Sequence, residues 1–328
     1  MKKTISAFYC IIINGGGYIM NKIEKIKLAV DVAVYYFIIN TVLYILNSLV
    51  IPYLLFRNIS GLRYAIVYVP LIVVSIFLVI ISKVLKRKVQ GDISIDSKPL
   101  LYLIVGVLFI ITGVTLIPSF VVSLIALFSN HHPLKDYSFT SVMIIIYVVL
   151  IGIGAYLTFM AIKRDKQIEK IKVAVDVALY YFTIYTVLNF LTETIKTLFY
   201  KNYGIKFWDI LFLLQYQVFA VAILFLAIIS SVIKRKVHVS ISMDSKLLLY
   251  IIVGFLLIVD GVTNIPSHIS RISYLYHSAS TVQGEKDILM NSMYLTIVPI
   301  ASTVIQIGIG AYFTLMTIKR DKQIGETH

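Results

Sequence analysis

Cysteine and charge are both scarce in this sequence, and each scarcity excludes a class of protein. Cys10 is the only cysteine, so no disulfide can form within the chain and no cluster of thiolates can hold a metal. Charged residues make up 14% of the chain and apolar residues 59%, whereas soluble domains average about 25% and about 45–50%. The apolar excess forms long uninterrupted runs, which predict helices that lie in a lipid bilayer.

The sequence also lacks the motifs of common catalytic and ligand-binding sites. It contains no nucleophile–base constellation, no Walker loop and no cluster of metal ligands. The net charge of +14 does not indicate nucleic acid, because the basic residues stand at the ends of apolar runs, where they meet lipid headgroups. We therefore expect no cofactor, no metal and no nucleic-acid partner, and an enzyme ranks third among the possible functions.

What the sequence does contain is an internal repeat with a period of about 150 residues, too long for a solenoid. Residues 22–33 recur as 166–178, residues 152–156 as 308–312, and residues 162–168 as 318–324. Each copy carries four apolar runs. We predict an all-α polytopic membrane protein with eight transmembrane helices, built from two four-helix repeats over residues 22–165 and 166–328.

Residues 1–21 precede the first repeat and are predicted to be an N-terminal extension. Gly15, Gly16 and Gly17 lie just before Met20, and such a glycine run can be a translated bacterial ribosome-binding site. We expect Met20 to be the true start.

The distribution of Lys and Arg predicts the orientation of the spans. The predicted spans are residues 28–50, 64–81, 99–128, 142–162, 173–194, 208–233, 247–270 and 293–318. Of the 30 basic residues, only eight fall on the side opposite the termini, namely Arg57, Arg63, Lys135, Lys196, Lys201, Lys206, Arg271 and Lys286. Both termini are therefore predicted to be cytoplasmic, in the inner membrane of a prokaryote. Because each repeat has an even number of spans, the repeats are parallel.

Two carboxylates near the cytoplasmic ends of spans each follow a lysine by one helical turn. The pairs are Lys27 with Asp31, and Lys172 with Asp176. At the membrane interface such a pair can be partly solvated and serve packing alone. The recurrence in both repeats fits a duplicated packing feature as well as a duplicated site.

A third carboxylate, Asp260, lies deep inside the seventh span. Its position costs about 2.5–3.5 kcal/mol on insertion scales, so it should face the bundle and find a donor. Asn264 and His268 follow at four-residue steps and extend a polar stripe. Gln306 in the eighth span is a candidate partner, as are Gln215 and Gln217 in the sixth. The stripe is either a proton or ion site or a buried hydrogen-bond network that holds the helices together.

The backbone near this aspartate is predicted to bend. Gly261 follows Asp260, and Pro266 cannot donate a backbone hydrogen bond. The first repeat has the equivalent Gly113 and Pro118 but no carboxylate, which favours an architectural role for the kink.

Each half of the sequence resembles a four-helix membrane domain of unknown function found in bacteria and archaea. Residues 246–250 leading to 257–261, and residues 307–312 followed by 318–321, carry the resemblance. The first half departs from the pattern at Thr112, where the family pattern has aspartate. The resemblance covers nearly the whole chain and implies a membrane location, with no activity attached.

Two function hypotheses follow from these observations. One is a non-enzymatic carrier that is coupled to protons or ions through Asp260. The other is a structural or regulatory membrane protein whose basic cytoplasmic face binds a partner or anionic lipid headgroups. The sequence does not identify a substrate or an oligomeric state.

Overall fold

Eight α-helices make up all of the chain that the computed structural model describes. These residues are 22–45, 65–88, 97–129, 134–164, 168–199, 207–237, 243–281 and 286–326. The helices are α1 (Lys22–Ile45), α2 (Ala65–Lys88), α3 (Ser97–Ser129), α4 (Leu134–Arg164), α5 (Ile168–Phe199), α6 (Phe207–Val237), α7 (Met243–Thr281) and α8 (Lys286–Glu326). The predicted N-terminal extension lies outside the described residues.

Each predicted span coincides with one helix over the described residues, and the prediction of an all-α fold is confirmed. The physical reason is that hydrocarbon offers no partner for backbone N–H and C=O groups. A helix satisfies these groups within its own segment.

Five helices contain a segment that is long and apolar enough to cross a membrane. The segments are Lys98–Pro118, Thr140–Lys163, Lys170–Ile195, Ser245–Ile265 and Ile297–Arg320. Helix α2 contributes the shorter apolar stretch Ile72–Leu85, and the described residues of α1 and α6 give no such segment. Several helices are thus candidates to span a membrane, while the number eight remains a prediction.

Consecutive helices run antiparallel, so their ends alternate between two faces of the molecule. Along α7, Gly254 approaches Gly310 and His268 contacts Thr303, so residue numbers rise on α7 as they fall on α8. The pairs α1–α2 and α3–α4 have the same order of contacts. One face therefore holds the starts of the odd-numbered helices and the ends of the even-numbered ones. We call this face the basic end, because it holds Lys27, Lys83, Lys98, Lys163, Lys172, Lys234, Lys246 and Lys319.

The odd-numbered helices form the centre of the bundle. They contact one another in the ring α1–α3–α5–α7, and their buried side chains join in a single apolar cluster. Leu28, Ile104, Val177 and Leu256, one from each of these helices, are fully buried at 0% exposure.

The even-numbered helices lie outside this ring and present apolar side chains outward. Helix α2 packs on α1 and α7, α4 on α3, α6 on α5 and α3, and α8 on α7 and α5. Only 17% of the α4 segment and 28% of the α8 segment is buried, against 67% for α3. Large apolar side chains on the outside include Phe77, Phe159, Phe225 and Leu315. In a bilayer these surfaces face lipid.

The two predicted repeats share one core. In this article the first half is α1–α4 and the second half is α5–α8. Helix α1 packs against α7, and α3 packs against α5, so each half supplies two helices to the central ring. The boundary between the halves therefore runs through the most buried part of the molecule.

Candidate functional site

Two tyrosines from different halves meet in the central ring. Tyr36 of α1 and Tyr181 of α5 are 4% and 3% exposed. Their rings pack edge to face, with centroids 6.1 Å apart, and their hydroxyl groups interact with each other. A buried tyrosine normally finds such a partner for its hydroxyl, because an unpaired polar group in the core is costly.

A threonine extends this contact into the first half. The Tyr36 hydroxyl is 2.9 Å from Thr112 Oγ1, and Thr112 donates to the carbonyl of Leu108 at 2.8 Å. Thr112 stands at the position where the second half has Asp260.

Asp260 on α7 is held by an amide from α8. Gln306 Nε2 donates to Asp260 Oδ2 at 2.7 Å and also reaches the carbonyl of Leu257 at 3.4 Å. Gln306 is buried, while Asp260 is partly exposed. The carboxylate is also near enough to act electrostatically on the hydroxyls of Tyr36 and Tyr181. Of the candidate glutamine partners, the structure thus places Gln306 beside Asp260.

The two candidate partners on α6 differ in what the structure describes of them. Gln217 is exposed, and the side chain of Gln215 lies outside the described residues.

The predicted polar stripe continues along the same pair of helices. His268 Nε2 lies 3.1 Å from Thr303 Oγ1 on α8, one turn away from Gln306. Asn264 is partly buried between Asp260 and His268 along α7. The structure therefore brings Asp260 together with Gln306, and His268 with Thr303.

The first half replaces this stripe with apolar and aromatic contacts. Phe120 and Tyr147, at the positions of His268 and Thr303, stack with ring centroids 5.4 Å apart. Leu150, at the position of Gln306, is almost fully buried. Only one carboxylate therefore occupies this level of the bundle among the described residues.

The two Lys–Asp pairs form separate clusters at the basic end. Lys27 Nζ is 2.7 Å from Asp31 Oδ2, and Ser82 of α2 donates to Asp31 Oδ1 at 2.5 Å. Lys27 and Asp31 are 4% and 5% exposed, which differs from the partly solvated pair expected from the sequence. The difference arises because α2 packs over the pair. The spacing of the two residues along α1 does not show which other helix will cover them.

The second half repeats this cluster. Lys172 Nζ is 2.7 Å from Asp176 Oδ2, and Ser230 of α6 donates to Asp176 Oδ1 at 2.5 Å. Both charged residues are 5% exposed. Sequence reasoning missed the two serines, although their separation of 148 positions matches the repeat.

The four residues of the predicted kinks lie inside continuous helices. Helix α3 continues through Gly113 and Pro118, and α7 continues through Gly261 and Pro266. A Cβ atom added at Gly113 would lie 2.5 Å from Cγ1 of Ile151. The same atom at Gly261 would lie 2.5 Å from Cγ1 of Ile307. Close helix packing therefore requires both glycines, whatever bend the prolines introduce.

Sequence reasoning also missed Tyr36 and Tyr181. The available signal was their recurrence 145 positions apart, the same spacing as Asp31 and Asp176. Tyrosine is common in this chain, with 23 copies, so recurrence alone did not distinguish these two.

Comparison with known proteins adds no relative. No protein-family model, no curated protein and no solved structure matches the chain. The resemblance to a tandem four-helix membrane domain therefore remains a prediction from sequence, and the function has to be argued from the site.

Proposed function

We propose that this chain is a multi-pass membrane protein that carries protons or small cations through Asp260. The observation behind the proposal is a carboxylate inside the apolar segment Ser245–Ile265 whose described hydrogen-bond partner is a neutral amide, Gln306. Asp31 and Asp176, in contrast, each have a lysine partner. Asp260 is therefore the intramembrane carboxylate best placed to bind an exchangeable positive charge.

The energetic cost of this position supports a role beyond packing. Asp260 lies about 22 Å along the helix axis from Ser245, where an ionised carboxylate costs about 2.5–3.5 kcal/mol. The first half makes the equivalent helix contact with Thr112 and Leu150 instead. A packing role does not need the carboxylate, whereas a cation-binding role does.

The proposal also covers the membrane in which the chain lies and the orientation of its spans. It places the chain in the inner membrane of a prokaryote as a tandem pair of four-helix domains with eight spans. It also places the basic end, and both termini, in the cytoplasm. The positive-inside rule supports this orientation, because most Lys and Arg residues lie at that end.

Ion flux in proteoliposomes tests the carrier proposal. Wild type, Asp260→Asn and Glu193→Gln would be compared under imposed gradients of H⁺, Na⁺ and K⁺. Glu193→Gln is a matched control, because it makes the same carboxyl-to-amide change in another apolar segment, Lys170–Ile195. We expect flux in wild type and Glu193→Gln, and at least a ten-fold loss in Asp260→Asn with unchanged helix content.

Two results would contradict the carrier proposal. One is equal flux in wild type and Asp260→Asn. The other is the absence of flux for all three ions in every variant.

A second function is favoured by the exposed charge at the basic end. Lys83, Arg87, Lys234, Arg235 and Lys319 are all exposed. Such a surface attracts anionic lipid headgroups or an acidic partner, with about 1 kcal/mol per basic residue near a charged membrane. A structural or regulatory membrane protein would use this face and would give no flux in the experiment above.

A further inference from the structure

Aromatic rings from three helices of the second half meet at the outside of the central ring. Tyr180 of α5 and Tyr250 of α7 pack edge to face, with ring centroids 6.4 Å apart. Tyr250 also contacts Phe313 of α8 at 5.5 Å, and Phe313 contacts Tyr312 at 6.2 Å. Tyr180 and Tyr312 are 42% and 62% exposed. We call these four residues the aromatic cluster, and it opens to the surroundings of the protein.

Two basic side chains lie on the same helix faces as this cluster, towards the basic end. Lys246 precedes Tyr250 by four residues, or one turn of α7, and so lies about 6 Å nearer the basic end. Arg320 follows Phe313 by seven residues, or two turns of α8. Because Tyr250 and Phe313 meet between the two helices, the two basic residues extend from the facing sides of the same pair. Both are exposed.

The register of α7 and α8 places these two charges at the same level. A Cβ atom at Gly254 would lie 2.7 Å from the carbonyl oxygen of Gly310 and 2.5 Å from Thr314 Oγ1, so Gly254 lies opposite these two residues. The helices are antiparallel. Eight residues towards the basic end from the middle of this contact, α7 reaches Lys246 and α8 reaches Arg320. The two cations therefore flank one end of the groove that the aromatic cluster lines.

Among the described residues, neither Lys246 nor Arg320 forms an ion pair. The carboxylate one turn from Tyr180 on α5 is Asp176, and its charge is already compensated by Lys172. Two exposed cations on facing helices attract an anion. A guanidinium and an ammonium group both bind phosphate oxygens, so the chemistry at this end of the groove fits a phosphate group.

We propose that the aromatic cluster, Lys246 and Arg320 form a binding site for one anionic phospholipid at the basic end. The phosphate lies between the two cations, and an acyl chain lies over the rings towards the middle of the membrane. Tyrosine suits this depth, because its ring is apolar and its hydroxyl group reaches the wet headgroup region. Basic pockets between membrane helices recognise anionic headgroups in this way. A free phosphate would fit the cations but would leave the rings uncovered, so a lipid matches both parts of the site.

The inference is independent of Asp260 and rests on the proposed function only for its membrane setting. The first half carries an incomplete copy of the site. The two tyrosines and the lysine recur as Tyr35, Tyr102 and Lys98, but Leu157 stands where the second half has Phe313. Helix α8 packs on both α5 and α7, whereas α4 packs on α3. We therefore place one such lipid on each chain, in the second half.

Native mass spectrometry of the detergent-solubilised full chain tests this site, because it counts bound lipids and gives a dissociation constant for each. The protein would be titrated with phosphatidylglycerol and with phosphatidylcholine of the same acyl chains, and inorganic phosphate would be added as a competitor. The test variants are the double variant Lys246→Gln, Arg320→Gln and the single variant Phe313→Leu. The matched control is the double variant Lys83→Gln, Arg87→Gln, which removes the same two charges from exposed positions of α2 at the same end.

We expect wild type and the control to bind one phosphatidylglycerol molecule more tightly than any further lipid, and more tightly than phosphatidylcholine. The Lys246→Gln, Arg320→Gln variant should weaken this first binding step about 10- to 30-fold, because both cations near the headgroup are lost. Phe313→Leu should weaken it about 2- to 5-fold, because the apolar contact stays but the ring is lost. Inorganic phosphate should not displace the lipid.

Three results would overturn the inference. If Lys246→Gln, Arg320→Gln binds the lipid as the control does, the basic end attracts anionic lipids only through its general charge. Equal affinity for the two lipids would mean apolar contact alone. Displacement by inorganic phosphate would mean a site for a free anion. None of these measurements involves Asp260, so the carrier proposal is decided separately by the flux experiment.

Discussion

Three carboxylates within the helices, Asp31, Asp176 and Asp260, differ in the partner that each one has. Asp31 and Asp176 each meet a lysine and a serine, so their charge is compensated within the cluster. Asp260 meets the amide of Gln306. The serine joins each cluster to a second helix, and the loss of either charged partner would leave an uncompensated charge in the core. At the residue scale, Asp31 and Asp176, each with a lysine partner, are therefore distinct from Asp260, whose described hydrogen-bond partner is an amide.

The Lys172–Asp176 pair gives a prediction on stability. Lys172→Met should lower the free energy of unfolding by roughly 3–5 kcal/mol, because it leaves Asp176 buried without its counter-charge. The double variant Lys172→Met, Asp176→Leu should recover much of that loss, since both charges are then absent. A double-mutant cycle from denaturant unfolding in detergent would measure the coupling. A loss in the double variant equal to the sum of the losses in Lys172→Met and Asp176→Leu would show that the pair is not coupled.

At the residue scale, the sequence pointed to Asp260 and Gln306 but not to Tyr36 and Tyr181, the tyrosines at the boundary between the two halves. Asp260 stood out because a carboxylate in an apolar run is costly wherever its helix packs. Tyr36 and Tyr181 are amphipathic and suit many environments. Their roles depend on which helices become neighbours, and an apolar helix carries little information about that.

At the scale of helices, there are Gly-x-Gly segments at residues 152–154 and 308–310. In each segment one glycine packs against the neighbouring helix and the other faces open space. A Cβ atom at Gly154 would lie 2.6 Å from the carbonyl oxygen of Gly106, and one at Gly310 would lie 2.6 Å from that of Gly254. Gly152 and Gly308 have nothing within 4 Å of the same position. Residues two apart face different sides of a helix, so only one of each pair can meet the neighbouring helix.

This difference predicts opposite outcomes for the same substitution two residues apart. Gly310→Leu should lower stability by roughly 1–3 kcal/mol or prevent folding, because the side chain would overlap the backbone of α7. Gly308→Leu should change stability by less than about 0.5 kcal/mol, because its side chain enters open space at an outward face. Denaturant unfolding and elution of the detergent-solubilised variants would compare them. Similar losses in both would show that α7 and α8 do not approach as described.

At the scale of the whole molecule, the central ring is closed on one side of Asp260. Towards the basic end, Ala33, Ile104, Ala178 and Ile252 are all 0% exposed. From Asp260 onward, α7 is partly exposed at Asn264 and His268. The hydropathy of the sequence predicted the helices and the alternating direction in which consecutive helices cross the membrane. It could not predict this closure, because helices that are apolar on all sides give no amphipathic signal of the face that packs inward.

The closure predicts water access to the site from one side only. In a Cys10→Ser background, Asn264→Cys should react with a membrane-impermeant thiol reagent that is added on the side opposite the basic end. Ala178→Cys, which replaces a fully buried small side chain of α5, should not react from either side until the protein is denatured. Thiols react as thiolates, which form in water and not in lipid, so labelling distinguishes a water path from exposure to hydrocarbon.

Reaction at Ala178→Cys in the folded protein, or of Asn264→Cys from the basic end alone, would show that the ring is open towards that end. The expected pattern instead means that water reaches Asn264 from the side opposite the basic end, and that the ring formed by α1, α3, α5 and α7 closes the path towards the basic end.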